Sequence, residues 1–249
     1  MRILQNVYLK FRKGCLMKHY SIAGLCVAMA TFGRTLEQAS AYEIPAIGEP
    51  NIVITSAPED IQKCWPHLSI DDCEYIYTGS SFYTQLLRNN GIMLHSSCVV
   101  VDNKAYLFTA PSGTGKSTHT NLWLEKFADR AYILNDDKPA LRLEDGIWYA
   151  YGTPWSGKYD ISRNERVPIA GIAVLGRGSD NKIVPFTGFA AITAILDQML
   201  RPAGEEYRTR ILETLDSLLS YVPVWKLTCN MEPEAATVAY QAMSGAEKE

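Results

Sequence analysis

Eight consecutive residues, Ala110-Pro111-Ser112-Gly113-Thr114-Gly115-Lys116-Ser117, hold the most specific chemistry in this chain. A polyphosphate crowds several negative oxygens into a small volume, and backbone N–H groups at the start of a helix hold them without a row of side-chain charges. Gly113 and Gly115 permit the tight loop and the close approach of main chain to phosphate. Lys116 would reach the β- and γ-phosphates as a mobile charge, and the Ser117 hydroxyl would ligate Mg²⁺. Ser112, Thr114 and Thr118 complete the expected nucleotide-binding stretch, which departs from G-x-x-x-x-G-K-[ST] only in having Ala110 at its first place.

A phosphate loop binds but does not by itself react. Asn135-Asp136-Asp137 closes the next apolar strand, where a strand beside the loop-bearing strand would deliver carboxylates to the phosphates. Adjacent side chains on a strand point to opposite sides, so one acid can face a metal and the other an acceptor. Kept ionised by Mg²⁺ and Lys116, one of the two near the γ-phosphate could accept the proton of an attacking hydroxyl. The segment Gly152 to Lys158 offers a hydroxyl, the Trp155 indole and the Lys158 ammonium to an anionic acceptor, against the plainer reading of a turn with a packed Trp155. Arg163 and Arg166 are candidates for the guanidinium that phosphoryl transfer often employs, or else solvated loop charges. His119, just past the loop, reads as helix surface or as lining on the adenine side.

These groups need an α/β frame. Cys98–Val101 and Ala105–Thr109 read as a hairpin about Asp102-Asn103-Lys104, followed by the loop and a helix from about Lys116 to Phe127 with Leu122, Leu124 and Phe127 apolar. Ala131–Leu134 is the next strand, and Ala140–Leu143 and Ile147–Tyr151 form a second hairpin about Asp145-Gly146. Strands at Ile169–Leu175, Ile183–Phe186 and Val224–Thr228 follow, with helices over Phe189–Leu200, Glu205–Ser220 and about Glu232–Met243. Trp148, Tyr149 and Tyr151 alternate as strand residues do, which core packing explains. Residues 91–249 thus form a nucleotide-binding core, and 1–90 an accessory region with a strand at Ile52–Ile54 and a short helix at Ser80–Asn89.

The chain has 249 residues, 47% apolar and 20% charged, with 24 Lys plus Arg against 27 Asp plus Glu and a formal net charge of -3. This composition excludes a rod or a long disordered tail and gives no global attraction to nucleic acid. Six cysteines without a C-x-x-C pair read as reduced thiols, and Cys64, His67 and Cys73 lack the paired spacing of a structural zinc site. Lys10, Arg12, Lys13 and Lys18 before the apolar run Ile22–Phe32 and Ala39-Ser40-Ala41 have the outline of a secretory signal, but Gly24, Arg34 and Glu37 interrupt it. Met17 is an alternative start, which would leave residues 1–16 upstream. The expectation is a cytoplasmic protein without a membrane span.

Leu94-His95-Ser96-Ser97, the hairpin, Ala110–Ser117 and Asn135-Asp136-Asp137 together resemble the HPr kinase/phosphorylase family, part of the phosphoenolpyruvate carboxykinase-like P-loop group, over roughly residues 91–143. The resemblance implies a P-loop kinase core with a mixed, largely antiparallel sheet and flanking helices. It puts Gly113, Gly115, Lys116 and Ser117 on the phosphate loop, Asp136 on the catalytic base, Asp137 on its companion acid and His95 on the active-site histidine. The family's Glu-x-Arg-Gly stretch would fall near Ala150-Tyr151-Gly152, where this chain has no acid. The expectation is therefore a divergent relative: a kinase using ATP and Mg²⁺ on a hydroxyl-bearing peptide, protein or small molecule, with Lys158 and Arg163 on the acceptor side and the oligomeric state open. A nucleotide-binding regulator without turnover and a carboxykinase-like enzyme are the alternatives.

Overall fold

The computed structural model describes residues 16–46 and 48–245. Lys10, Arg12, Lys13 and Cys15 lie outside them, as do residues 1–15 of the stretch upstream of Met17. The chain divides into two compact units at Phe82 and Tyr83, within a helix rather than at a loop near residue 90.

The first unit contains β1 (Lys18–Ile22), β2 (Leu25–Met29), α1 (Gly33–Ala39), β3 (Glu43–Ile44), β4 (Ile52–Ile54) and α2 (Pro58–Cys64), and most of α3 (Ile70–Leu86). Its four strands run in the order β3-β1-β2-β4. The apolar run from Ile22 is a hairpin and not a helical segment, because Ala23 (φ 53°) and Gly24 (φ 71°) form a two-residue turn pairing Ile22 with Leu25. Such turns require positive φ at both central residues, so Gly24 is there for the turn. Tyr20, Ile22, Val27, Met29, Ile52 and Ile54 are all buried. The helix expected at Ser80–Asn89 begins ten residues earlier and ends in a 3₁₀ turn at Leu87–Asn89. Among the described residues none of the cysteines forms a disulfide, and no cluster of three or more His, Cys, Asp or Glu side chains is arranged to hold a metal.

Helix α1 has Phe32 at its N-cap and no side-chain cap of its own. Two acids of α3 substitute, which suits the positive end of a helix. The Asp71 carboxylate lies so close to Gly33 (φ 50°) that a Cβ there would sit 2.7 Å from it. Glu74 is fully buried and accepts hydrogen bonds from the Thr35 hydroxyl and the Phe32 main chain. Burial pushes the Glu74 carboxyl up to about 7 despite those donors.

In the second unit come β5 (Gly91–Met93), β6 (Ser96–Val101), β7 (Lys104–Thr109), α4 (Lys116–Phe127), β8 (Ala131–Asn135), β9 (Ala140–Glu144), β10 (Ile147–Tyr151) and β11 (Arg166–Arg177). There follow β12 (Lys182–Pro185), α5 (Gly188–Leu196), α6 (Glu205–Tyr221), β13 (Val224–Cys229) and α7 (Glu234–Ser244). The nine strands form one mixed sheet along β5-β9-β10-β11-β7-β6-β8, with β13 on β11 and β12 on β13. Strand β11 is longer than its sequence pattern indicated because it serves two neighbourhoods. Its first three residues pair antiparallel with β10, and the remainder runs parallel to β7 and β13. Val99, Val101, Tyr106 and Phe108 pack with α4 and α7, while Val100, Leu107, Leu134 and Ile172 pack with α6. The sheet is thus covered on both faces, as its near-continuous apolar strands require.

Linkage fixes the sign of one pH effect in the first unit. Between pH 4.5 and 7 the folded form binds more protons at Glu74 than the unfolded chain does, so its stability falls as pH rises through that window and levels off above it. Glu74→Gln should remove this dependence. Thermal melts of the wild type should lose stability on the order of 3 kcal/mol between pH 5 and 8 in this unit, and those of the variant should stay flat.

Candidate active site

His95, the loop Ala110–Gly115, Asp136 and Asp137 meet at one end of the large sheet. Strand β6 is antiparallel to both β7 and β8, with Ser96 opposite Thr109 and Cys98 opposite Asn135. The start of β6 therefore lies where β7 and β8 end, and His95, the loop after β7 and the acids after β8 emerge together. This corrects the expected arrangement: the acid-bearing strand is not beside the loop-bearing strand. Strand β6 stands between them and contributes His95 and Ser97.

The loop Ala110–Gly115 joins β7 to α4. Gly113 (φ 77°) and Gly115 (φ 117°) take backbone conformations that L side chains rarely adopt, while a Cβ on either would meet nothing within 4 Å. The glycines are required by torsion and not by crowding. Thr114 N–H donates to Pro111 O at 3.3 Å, and His119 N–H to Gly115 O at 2.9 Å as α4 begins. Lys116 is only 8% exposed, and its Nζ donates to Ala110 O at 2.9 Å, beneath the loop. Burial lowers its pKa from the usual ammonium value, against the pull of Asp137 and Asp136. The Ser112, Gly113 and Thr118 positions are exposed, and Thr114, Gly115 and Ser117 half-buried. A guanidinium without any local sequence signal also reaches the loop: Arg177, at the end of β11, donates from Nε to Thr114 O (3.0 Å) and from Nη2 to Gly113 O (2.5 Å).

The acids are set by Asn135, which is fully buried. Its Oδ1 accepts from the main-chain N–H of Asp137 (3.0 Å) and Lys138 (2.8 Å), the short-range turn that asparagine favours. Its Nδ2 donates to Thr153 O (3.1 Å) and Ser162 Oγ (3.2 Å). Asp136 N–H donates to Ile161 O and Ser96 N–H to Asp137 O, each at 3.1 Å. The Asp136 carboxylate accepts from Ser97 Oγ at 2.5 Å, and Ser97 in turn meets Thr120 Oγ1 at 2.9 Å, one helical turn beyond Ser117. Asp137 pairs with Lys138 Nζ and lies 3.4 Å from His95 Nε2. Burial alone would raise the Asp137 carboxyl, but His95 and the Lys138 ammonium hold it below the usual carboxylate range. Gln198 anchors His95 through both main chain (2.8 Å) and ring (Nδ1 to Oε1, 3.2 Å). Sequence reading missed Gln198 because it lay within the helix expected to run to Leu200. The helix ends at Leu196, and Met199 instead bridges to Leu94.

Other expected participants are placed elsewhere. Trp155 is fully buried against Tyr83, Thr153 accepts from or donates to Tyr83 and donates to Lys138 O, and Ser156 donates to Asp160, so these are packing and positioning groups. Gly157 (φ 80°) does reach the site, since a Cβ on it would lie 2.8 Å from Asp137 Cβ, and the adjacent Lys158 is exposed with its ammonium 5.6 Å from the Tyr159 ring centroid. Arg163 lies over the Tyr132 ring at 4.1 Å, toward the start of β8 and away from its acidic end. Arg166 is held by Glu144 and Tyr149. His119 is neither surface nor ligand lining. It is 3% exposed, accepts from Trp123 Nε1 at 3.1 Å, and stacks edge-on against Phe108, and burial pushes it down to about 4. Its partner Trp123, not picked out by the apolar pattern, is with Trp155 among the largest fully buried side chains of the described residues.

No protein-family model matches the chain, and no curated protein sequence matches it. Among solved structures it is similar to the HPr(Ser) kinase/phosphatase from Coxiella burnetii, at 11% identity and a TM-score of 0.35, over 61% of this chain and 91% of that one. Asn135 is the position where stability and site geometry are tied most closely. Asn135→Ala leaves buried donors and acceptors without partners and should cost about 2 kcal/mol in urea unfolding. Asn135→Asp, which keeps the acceptor for Asp137 and Lys138 N–H, should lose less of the loop order seen by amide exchange at 136–138.

Proposed function

We propose that the second unit is a Mg²⁺-ATP-dependent kinase that transfers the γ-phosphoryl group to a hydroxyl. The observation that carries this reading is the convergence of a two-glycine loop, a buried lysine and an Asp-Asp pair at one sheet end. The N–H groups of the first turn of α4 have no helical acceptors and are suited to phosphate oxygens. Lys116 lies under the loop and would leave Ala110 O for the β- and γ-phosphates. The resemblance of residues 91–143 to the HPr kinase/phosphorylase family supports the same assignment.

The residues present suit a magnesium ion. Mg²⁺ is usually held by one or two carboxylates together with substrate phosphates and waters, and Asp137, kept ionised by its cationic neighbours, with the half-buried Ser117 hydroxyl supplies hard oxygen donors of that kind. When bound it would neutralise charge on the transferring phosphoryl group. Asp136 acts as the base. Its carboxylate takes the proton of the acceptor hydroxyl while that oxygen bonds to the γ-phosphorus, the bond to the bridging oxygen breaks, and ADP departs. Ser97 orients Asp136 by hydrogen bond. His95 and Gln198 orient Asp137. Lys158, next to Gly157, would serve the acceptor side of Asp137. The acceptor is a hydroxylated peptide, protein or small molecule.

The division of roles is testable by titration calorimetry and a phosphate-transfer assay on candidate hydroxyl acceptors. Lys116→Ala should weaken Mg²⁺-ATP binding more than tenfold and abolish transfer. Asp136→Asn should bind the nucleotide within about threefold of the wild type yet slow transfer a hundredfold or more. Equal loss of nucleotide affinity in both variants would overturn the assignment of Asp136 as base, and wild-type protein that binds neither ATP nor GTP would overturn the kinase.

A further inference from the structure

Among the described residues, Arg177 is a cation at the loop that the proposed reaction leaves without a role. It lies at the C-terminal end of β11, opposite Cys229 of β13, and the next residue is fixed by Gly178 N–H donating to Cys229 O at 3.0 Å. Gly178 itself allows this close approach, since a Cβ on it would lie 2.4 Å from Thr228 Cγ2. The main chain that carries Arg177 is therefore braced on the sheet. From there the exposed guanidinium binds two successive carbonyls of the loop, those of Gly113 and Thr114. A peptide group is planar and trans, so its carbonyl and N–H point to opposite sides. Holding the Thr114 carbonyl toward Arg177 turns the Gly115 N–H to the other side of the loop, beside the unpaired N–H groups that open α4.

We infer that Arg177 is a positioning residue that pre-forms the nucleotide-binding loop, by gripping its Gly113 and Thr114 carbonyls so that the Gly115 N–H is presented to a polyphosphate before any ligand arrives. The inference deepens the kinase reading and rests on the loop being the phosphate site. A loop with two glycines at positive φ has many conformations open to it, and restricting them in advance lowers the ordering cost of binding. The fork geometry matters because two carbonyls are held by two nitrogens of one planar group. A lysine ammonium at the same position has the charge but not the fork.

The test uses the full chain, its Arg177→Ala and Arg177→Lys variants, amide hydrogen exchange over residues 110–117 without ligand, and calorimetric titration with Mg²⁺-ATP and Mg²⁺-ADP. The expected result is faster loop exchange in Arg177→Ala, about tenfold weaker binding of both nucleotides by the same factor, and partial recovery of each in Arg177→Lys. Exchange outside the loop should be unchanged, which separates the effect from general unfolding. Unchanged loop exchange would overturn the inference. So would a loss confined to ATP, because it would make Arg177 a direct ligand of the γ-phosphate. If the wild type binds neither nucleotide, the kinase reading fails on its own, and the exchange comparison still decides whether Arg177 holds the loop.

Discussion

The site depends on the antiparallel insertion of one strand between two others. Strand β6 runs against β7 on one side and β8 on the other, and this alone brings the residue before β6, the loop after β7 and the acids after β8 to the same edge. The direction is fixed locally by Asp102 (φ 50°) and Asn103 (φ 58°), a two-residue turn of the type that matches strand twist. Its register is fixed by burial on both faces, because a slip of one residue would exchange Val99 and Val101 with Cys98 and Val100 and disturb both apolar layers. A further irregularity lies at the β8 edge, where Cys98 pairs with Asn135 but Val99 with Ile133, so that Leu134 is the extra residue. Asn135, directly after it, organises the main chain of Asp137 and Lys138.

Much of this could be read from residue types. The two-glycine loop, the Asp145-Gly146 hairpin and the strands on either side have local signatures, since positive-φ turns and apolar runs are written in adjacent residues. The Asp-Asp pair stood out for its chemistry, and the structure brings His95 to it. What could not be read were contacts made by residues far apart in sequence. Nothing local distinguishes Gln198 or Arg177, which matter only because a helix stops early and a strand runs long. His119 was misread for the opposite reason: its polar type suggests a surface, but a neutral imidazole sharing a hydrogen bond with Trp123 is well suited to an aromatic core. In the first unit, the apolar run interrupted by glycine reads in the sequence only as a signal-like segment, whereas it forms a hairpin whose second strand also pairs with β4, more than twenty residues on.

The cationic and anionic groups of the site also explain one another. Lys116 and Lys138 face Asp136 and Asp137, two positive side chains against two negative, so the cluster is nearly balanced as it stands. A triphosphate brought to this edge would add several negative charges beside two carboxylates, and the lysines alone could not offset them. Under the kinase reading the second acid is therefore not redundant but requires a divalent cation, which converts Asp137 from a source of repulsion into a ligand. Asp136 accepts instead from a neutral donor, the Ser97 hydroxyl. The arrangement separates two acids that are adjacent in sequence by their hydrogen-bonding partners, Lys138 and His95 for Asp137 and the Ser97 hydroxyl for Asp136, a difference made in part by β6, which contributes Ser97 and follows directly on His95.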